Sequence, residues 1–158
     1  MTPETVRPPA VGTIAPDFTL QSTIGEPVTL SSFRGYTNVL VAFFPLAFSS
    51  TCTAELCDMG TEFDQFVGRG AKLLPVSVDS TYSLVEYKKK YNMPFEMLSD
   101  FKREASRAYG VLIEDRFYSN RAYFLVDKNG IVRWSHIEDN PGVKRGNREL
   151  LVAIDGLE

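Results

Sequence analysis

The chain has 158 residues, 44% hydrophobic and 12% aromatic, which suits a single packed domain over 1–158. Its net charge of −3, without any basic run interleaved with aromatic residues, argues against a nucleic acid partner. Residues 1–13 are polar and proline-rich and predict a flexible arm, and no later stretch is long and apolar enough to span a membrane. We therefore expect a cytoplasmic protein with no membrane partner.

The first predicted elements are a β-hairpin and a buried strand. Residues 17–20 and 27–30 are short β-prone runs, separated by a segment that contains Gly25. The apolar run over 38–44 predicts a buried strand.

Both cysteines lie in the predicted helix that follows this strand. Apolar residues recur at helical spacing over 52–67, and Gly68 ends the pattern. Cys52 lies where the strand becomes the helix, and Cys57 lies five positions later. In a reducing compartment such a pair is more typical of catalytic, redox-active or metal-binding cysteines than of a structural disulfide.

The middle of the chain continues the alternation of strands and helices. A second buried strand is predicted over 71–79, and Ser80 is a good cap for a helix over 81–91. Residues 95–99 are ambiguous, and a short helix is expected over 102–109.

The last elements are a hairpin and a helix. Residues 122–127 and 131–136 flank Lys128-Asn129-Gly130, a sequence typical of a tight turn, and the last helix is predicted over 147–157. This order of elements predicts an α/β thioredoxin-like fold, with a mixed central β-sheet flanked by helices and an N-terminal β-hairpin.

The start of the cysteine helix is suited to thiol chemistry. Aligned N–H groups at a helix N-terminus favour a thiolate, the nucleophilic form of cysteine. Ser49 supplies a hydroxyl just before Cys52, and Pro45 stiffens the loop and lacks an N–H donor. The loop can therefore form a polar cradle around a sulfur atom and an oxygen that it attacks.

These residues resemble a known family. The segment Pro45-x-x-x-Ser49-x-x-Cys52 resembles the peroxiredoxin signature Pro-x-x-x-Thr/Ser-x-x-Cys. The resemblance covers about residues 14–136 and is strongest toward the alkyl hydroperoxide reductase E (AhpE) subgroup. Further peroxiredoxin-like segments lie at 15–20, 43–48, 98–100, 108–111 and 120–121.

The resemblance implies a role for each matching residue. Cys52 would be the peroxidatic nucleophile, Ser49 a donor to the peroxide and Pro45 a shield of the pocket. Arg121 would stabilise the charge that develops on the leaving oxygen, and Glu55 would orient that arginine by ion pairing. No metal, haem, flavin or other cofactor is implied.

Cys57 departs from the AhpE pattern, because enzymes of that subgroup commonly use one cysteine. The Cys52-x-x-x-x-Cys57 spacing resembles the Q-type (bacterioferritin comigratory protein) peroxiredoxins, which implies that Cys57 resolves Cys52 as an intramolecular disulfide. In a helix, positions i and i+5 have Cα atoms roughly 8.7 Å apart, whereas a disulfide requires about 4.4–6.8 Å. We therefore hypothesise that residues around 50–58 unwind after Cys52 is oxidised.

Simpler readings remain open for several of these residues. Cys57 fits a small apolar position on a helix, in which case an external thiol would resolve Cys52. Arg121 fits a surface residue at a strand end, and Glu55 fits an acid favoured by the helix dipole.

The sequence favours a thiol-dependent peroxidase that acts on hydrogen peroxide and organic hydroperoxides. A thiol–disulfide oxidoreductase would normally carry Cys-x-x-Cys, which this chain lacks. A non-enzymatic redox sensor is the remaining alternative. The expected reductant is thioredoxin, followed by a glutaredoxin-like protein, and the sequence leaves a homodimer and a monomer both open.

Overall fold

In the computed structural model, which describes residues 7–157, seven strands form one mixed β-sheet with helices on both faces. Together with the two strands of a separate small hairpin, the strands are β1 (Thr19–Ser22), β2 (Pro27–Thr29), β3 (Asn38–Phe43), β4 (Ala71–Ser77), β5 (Leu98–Ser99), β6 (Leu112–Ile113), β7 (Tyr118–Ser119), β8 (Ala122–Val126) and β9 (Val132–Ile137). The helices are α1 (Ser50–Thr61), α2 (Phe63–Gly68), α3 (Thr81–Tyr91), α4 (Glu104–Ala108) and α5 (Asn147–Asp155), with a 3-10 helix at Leu30–Phe33.

The strand order of the large sheet is β2-β1-β5-β4-β3-β8-β9, and β6 pairs with β7 in a separate small hairpin. Strand β3 is parallel to β4 and antiparallel to β8, with Phe43 opposite Ala122. Because β3 and β8 run in opposite directions, the end of β3 and the start of β8 lie at the same edge of the sheet. The segment before α1 is thereby placed beside the residues that precede β8.

Side chains of β3 alternate between two hydrophobic layers, as expected for a strand buried on both faces. Leu40 and Ala42 face the layer formed with α1, α2, α3 and α5, whereas Val39, Val41 and Phe43 face the layer formed with α4 and the N-terminal hairpin. The sheet is therefore covered on both sides, and α1 shares a hydrophobic layer with Leu40 and Ala42 of β3.

The predicted order of elements is confirmed, including both hairpins and the Ser80 cap, whose hydroxyl accepts from the Ser83 N–H at 3.2 Å. In the turn between β8 and β9, Gly130 has the positive φ of 81°. Of the predicted arm, residues 1–6 lie outside the described residues, and Gly12 and Thr13 form backbone hydrogen bonds with Val132 at 2.8 and 2.9 Å.

The continuous helix predicted over 52–67 is wrong in its extent. The chain becomes helical already at Ser50, and Glu62 leaves the helical conformation, so that α1 and α2 are separate helices. The Thr61 hydroxyl oxygen lies 3.1 and 2.8 Å from the carbonyl oxygens of Cys57 and Asp58, which share its one proton, and such side-chain bonds compete with the backbone ladder. The helix that carries both cysteines therefore ends about one turn after Cys57.

Candidate active site

The loop between β3 and α1 fixes the position of Cys52. The Ala47 N–H donates to the Asp79 carboxylate at 2.8 Å, and Phe48 adopts a left-handed conformation with φ of 68°. Ser49 is the N-cap residue of α1. Cys52 therefore lies in the first turn of α1, and its side chain is completely buried.

Arg121 contacts the Cys52 sulfur directly. Its Nη2 donates to Cys52 Sγ at 2.9 Å, and its Nη1 donates to Glu55 Oε1 at 2.8 Å. The carbonyl of Pro141 accepts from Nε at 3.3 Å and from Nη2 at 3.1 Å. Burial disfavours the charge on Arg121, but Glu55 and Cys52 outweigh it and raise the pKa of the guanidinium.

Glu55 is a buried carboxylate with a partner for each oxygen. Oε1 accepts from Arg121, and Oε2 accepts from the hydroxyl of Tyr123. Burial raises the pKa of Glu55, whereas the charge of Arg121 and the Tyr123 hydrogen bond act in the opposite direction. Burial and the neighbouring Glu55 also raise the pKa of the Tyr123 hydroxyl, which keeps its proton available for donation.

Cys52, Glu55 and Arg121 are thus brought together, and Pro45 is buried in the adjoining loop. Arg121 is not the exposed strand-end residue of the simpler reading, because its side chain is 1% exposed. The Ser49 side chain is exposed, and its hydroxyl donates to the Leu46 carbonyl at 2.9 Å. A hydroxyl has one proton, so Ser49 must release Leu46 before it can donate to a ligand.

Cys57 is half-buried, and both cysteines are free thiols. Since α1 is an unbroken helix from Ser50 to Thr61, the Cα atoms of Cys52 and Cys57 are separated by roughly the 8.7 Å of helical geometry. Burial and the neighbouring Asp58 raise the pKa of the Cys57 thiol. In this conformation the Cys57 thiol ionises less readily than an ordinary cysteine thiol. Its Cα atom is also too far from that of Cys52 for a disulfide.

Two groups at the site were missed by the sequence reasoning. Tyr123 lies two residues after Arg121, and the two-residue period of a strand would have placed both side chains on one face. Pro141 contributes only a backbone carbonyl from a loop, for which the sequence carries no signal.

Within residues 7–157, no helix combines the length and apolar character needed to cross a membrane. The same span contains no group of three or more His, Cys, Asp or Glu side chains suited to hold a metal ion.

Comparison with known proteins identifies the family. The AhpC/TSA family matches residues 11–135. The chain is 37% identical to alkyl hydroperoxide reductase E of Mycobacterium tuberculosis, over 93% of this chain and 97% of the relative. It is 35% identical to thioredoxin peroxidase of Echinococcus granulosus, over 94% of this chain and 81% of the relative.

A solved structure supports the same assignment. The reduced 2-Cys peroxiredoxin of Plasmodium vivax superposes with a TM-score of 0.88 at 34% identity, covering 95% of this chain and 82% of that one. The similarity confirms the thioredoxin-like fold predicted from the order of elements. By sequence and by fold, the chain belongs to the AhpC/TSA family and is a peroxiredoxin.

Proposed function

We propose that this chain reduces hydrogen peroxide and organic hydroperoxides at Cys52 and completes the reaction through a disulfide with Cys57. The observation that carries the proposal is the 2.9 Å contact between Arg121 Nη2 and Cys52 Sγ at the start of α1. A cation and the aligned N–H groups of a helix N-terminus both favour the thiolate. Reduction of a peroxide is the activity that both relatives' names describe, and one of the names includes thioredoxin.

In the first step the Cys52 thiolate attacks one peroxide oxygen and the O–O bond breaks. Two electrons pass from sulfur to oxygen, which leaves a sulfenic acid on Cys52 and an alkoxide or hydroxide that takes up a proton. Arg121 and the first N–H groups of α1 stabilise the charge on the leaving oxygen, with Ser49 as a further donor. Glu55 orients Arg121, and Pro45 shields the sulfur from water.

In the second step the Cys57 thiol attacks the Cys52 sulfenic sulfur. The S–S bond forms, the S–O bond breaks and water leaves. The roughly 8.7 Å between the Cα atoms in a helix exceeds the disulfide range of about 4.4–6.8 Å, so α1 must open around residues 50–58. The partial exposure of Cys57 supports this role, since an opening of one or two turns frees it.

The disulfide is then reduced by a dithiol protein, which returns both cysteines to thiols and becomes oxidised itself. Thioredoxin is the reductant we favour, because a relative at 35% identity is named thioredoxin peroxidase. A glutaredoxin-like protein is the alternative. The reaction requires a reducing compartment such as the cytoplasm.

The test is a coupled assay with peroxide, thioredoxin and its reductase. We expect Cys52→Ser to abolish turnover, and Cys57→Ser to consume one peroxide per chain without forming the intramolecular disulfide that mass spectrometry detects in the wild type. Activity that survives Cys52→Ser would overturn the mechanism.

The same assay separates the alternatives. A wild type that accumulates Cys52 sulfenic acid without the disulfide would be a one-cysteine peroxidase with a structural Cys57. Rapid oxidation without turnover by thioredoxin or glutaredoxin systems would instead indicate a redox sensor.

A further inference from the structure

We infer that Tyr123 is a positioning residue for peroxide reduction, whose hydroxyl holds the Glu55 carboxylate in the orientation that directs Arg121 onto the Cys52 sulfur. The inference rests on the proposed function and deepens it. It concerns a side chain that touches neither the sulfur nor the peroxide.

The contacts form a continuous path from Tyr123 to the sulfur. The Tyr123 hydroxyl donates to Glu55 Oε2, and Glu55 Oε1 accepts from Arg121 Nη1 at 2.8 Å. Arg121 Nη2 then lies 2.9 Å from Cys52 Sγ. Because the two carboxylate oxygens are bound in different directions, rotation of the carboxylate would break one of the two bonds.

The tyrosine hydroxyl is itself held in one orientation. The backbone N–H of Arg145 donates to the Tyr123 oxygen at 3.0 Å, so the oxygen is the acceptor there and its single proton is directed to Glu55. The Arg145 side chain is fixed in turn by Glu138, with Nε 2.6 Å from Oε1. The position of the hydroxyl therefore depends on backbone and on a second ion pair, rather than on the tyrosine ring alone.

The hydroxyl also affects the charge of Glu55. The groups that act on this carboxyl are Arg121 and Tyr123 from the β8 side and Lys144 from the loop before α5. Burial raises the pKa of Glu55, and the Tyr123 hydrogen bond counteracts part of this effect. Loss of the hydroxyl would therefore raise the pKa further, and a protonated Glu55 would no longer pair electrostatically with Arg121.

The test is Tyr123→Phe, which retains the ring and its packing on Trp134 and removes only the hydroxyl. We expect the rate constant for oxidation of Cys52 by hydrogen peroxide, measured by quenched flow and mass spectrometry, to fall about tenfold, the loss expected for one hydrogen bond to a charged group. The acidic limb of the rate against pH should move to higher pH. In a Glu55→Gln background this movement should disappear, because the titrating carboxyl is absent.

Tyr109→Phe is the matched control. Tyr109 is also buried, and its hydroxyl donates to the Pro16 carbonyl at 2.6 Å in the hydrophobic layer on the opposite face of the sheet. This variant should lose stability without moving the acidic limb. An equal movement in Tyr109→Phe, or none in Tyr123→Phe, would overturn the inference.

The outcome distinguishes the inference from the proposed function. A wild type that hydrogen peroxide does not oxidise would contradict the function, whereas an oxidised wild type with an indistinguishable Tyr123→Phe would contradict the inference alone. A second measurement does not require that variant to fold. In the wild type, the Tyr123 hydroxyl proton should give a slowly exchanging downfield NMR signal that shifts upfield in Glu55→Gln, and its absence would also overturn the inference.

Discussion

Arg121 is a buried cation whose guanidinium reaches three acceptors of different kinds: a sulfur, a carboxylate and a backbone carbonyl. Removing one partner of a buried ion pair typically costs about 3–5 kcal/mol, since a charge is left without compensation. Separating Arg121 from Glu55 would leave a buried charge uncompensated, so this ion pair keeps the guanidinium in one position. Its planar geometry lets one side chain contact Glu55 and Cys52 at the same time.

Replacement of Arg121 by lysine keeps the charge and removes this geometry. A single ammonium cannot satisfy Glu55 and Cys52 in the same way, so we expect Arg121→Lys to lower the rate of Cys52 oxidation by peroxide about 100-fold. Stopped-flow oxidation kinetics measure the effect. Arg133→Lys, at an exposed arginine paired with Asp127 at 3.2 Å, should leave the rate unchanged. Equal rates for wild type and Arg121→Lys would show that the planar guanidinium is not required for Cys52 oxidation.

Besides its proposed role in orienting Arg121, Glu55 has a consequence for stability. The pKa of Glu55 is raised above its ordinary value of 4.5, with burial as the main cause, so the folded protein binds this proton more tightly than the unfolded chain does. The resulting stabilisation is fully present below the unfolded pKa and is lost as pH rises through the folded pKa. Glutamine does not titrate and lacks this dependence.

We therefore expect the free energy of unfolding of the wild type to fall relative to that of Glu55→Gln as pH rises above about 4.5. Urea denaturation at a series of pH values measures the difference. Glu149→Gln, at a half-exposed glutamate of α5, should show no comparable trend. A wild type that gains stability over Glu55→Gln in this window would mean that the Arg121 pair outweighs burial.

At the scale of elements, α1 is tied to its surroundings at both ends. Near its start, the hydroxyls of Thr53 and Tyr87 are 2.9 Å apart and link α1 to α3. Near its end, Asp58 accepts from Lys144 Nζ at 2.7 Å, and its carbonyl accepts from Asn147 Nδ2 at 2.7 Å. In the proposed mechanism, opening of α1 must break the first of these links before Cys57 can approach Cys52.

Tyr87→Phe tests that link. Burial raises the pKa of Tyr87 to about 12, so the hydroxyl stays protonated at neutral pH and the hydrogen bond persists. Loss of a bond worth about 1 kcal/mol should speed disulfide formation after peroxide oxidation about fivefold, and should lower hydrogen-exchange protection in the first turn of α1.

The neighbouring Tyr91→Phe serves as control, since Tyr91 packs on the Tyr87 ring with centroids 5.5 Å apart. Its disulfide should form at the wild-type rate. An unchanged rate in Tyr87→Phe would show that opening of α1 does not limit resolution.

Elements with a long apolar run or a clear capping residue were predictable from sequence, and those without such a signal were not. Strands β3 and β4 are continuous apolar runs, and Ser80 marks the start of α3, so their bounds followed within two residues. The break at Glu62 depends on the Thr61 side chain, and β6 and β7 have two residues each, too few for any period to show. The burial of Glu55 could not be predicted either, because its ion-pair partner Arg121 is distant in sequence.

At the scale of the whole molecule, the site and the β8–β9 turn lie at opposite ends of strand β8. Arg121 precedes β8 at the end where Cys52 lies, and residues 127–130 form the turn at the other end. Gly130 is constrained there, because its φ is 81° and a Cβ would lie 2.5 Å from Arg34 Nε. Stability and catalysis can therefore be perturbed separately.

We expect Gly130→Ala to lower the free energy of unfolding by about 1–2 kcal/mol, the cost of a left-handed conformation for an L-residue. The rate of Cys52 oxidation by peroxide should not change. Urea denaturation and quenched-flow oxidation measure the two quantities. Gly68→Ala, at the end of α2 with nothing within 4 Å of the added Cβ, should be neutral or slightly stabilising. A slower reaction in Gly130→Ala would mean that the turn is coupled to the site.

The contact between Arg121 and the Pro141 carbonyl has an evolutionary consequence. Because the acceptor belongs to the main chain, a point mutation at position 141 can change the side chain without deleting the hydrogen-bonding atom. Insertions and deletions in the loop before α5 would instead move the carbonyl away from the guanidinium. Among homologues, natural selection at this loop should therefore act on its length more strongly than on the identity of its residues.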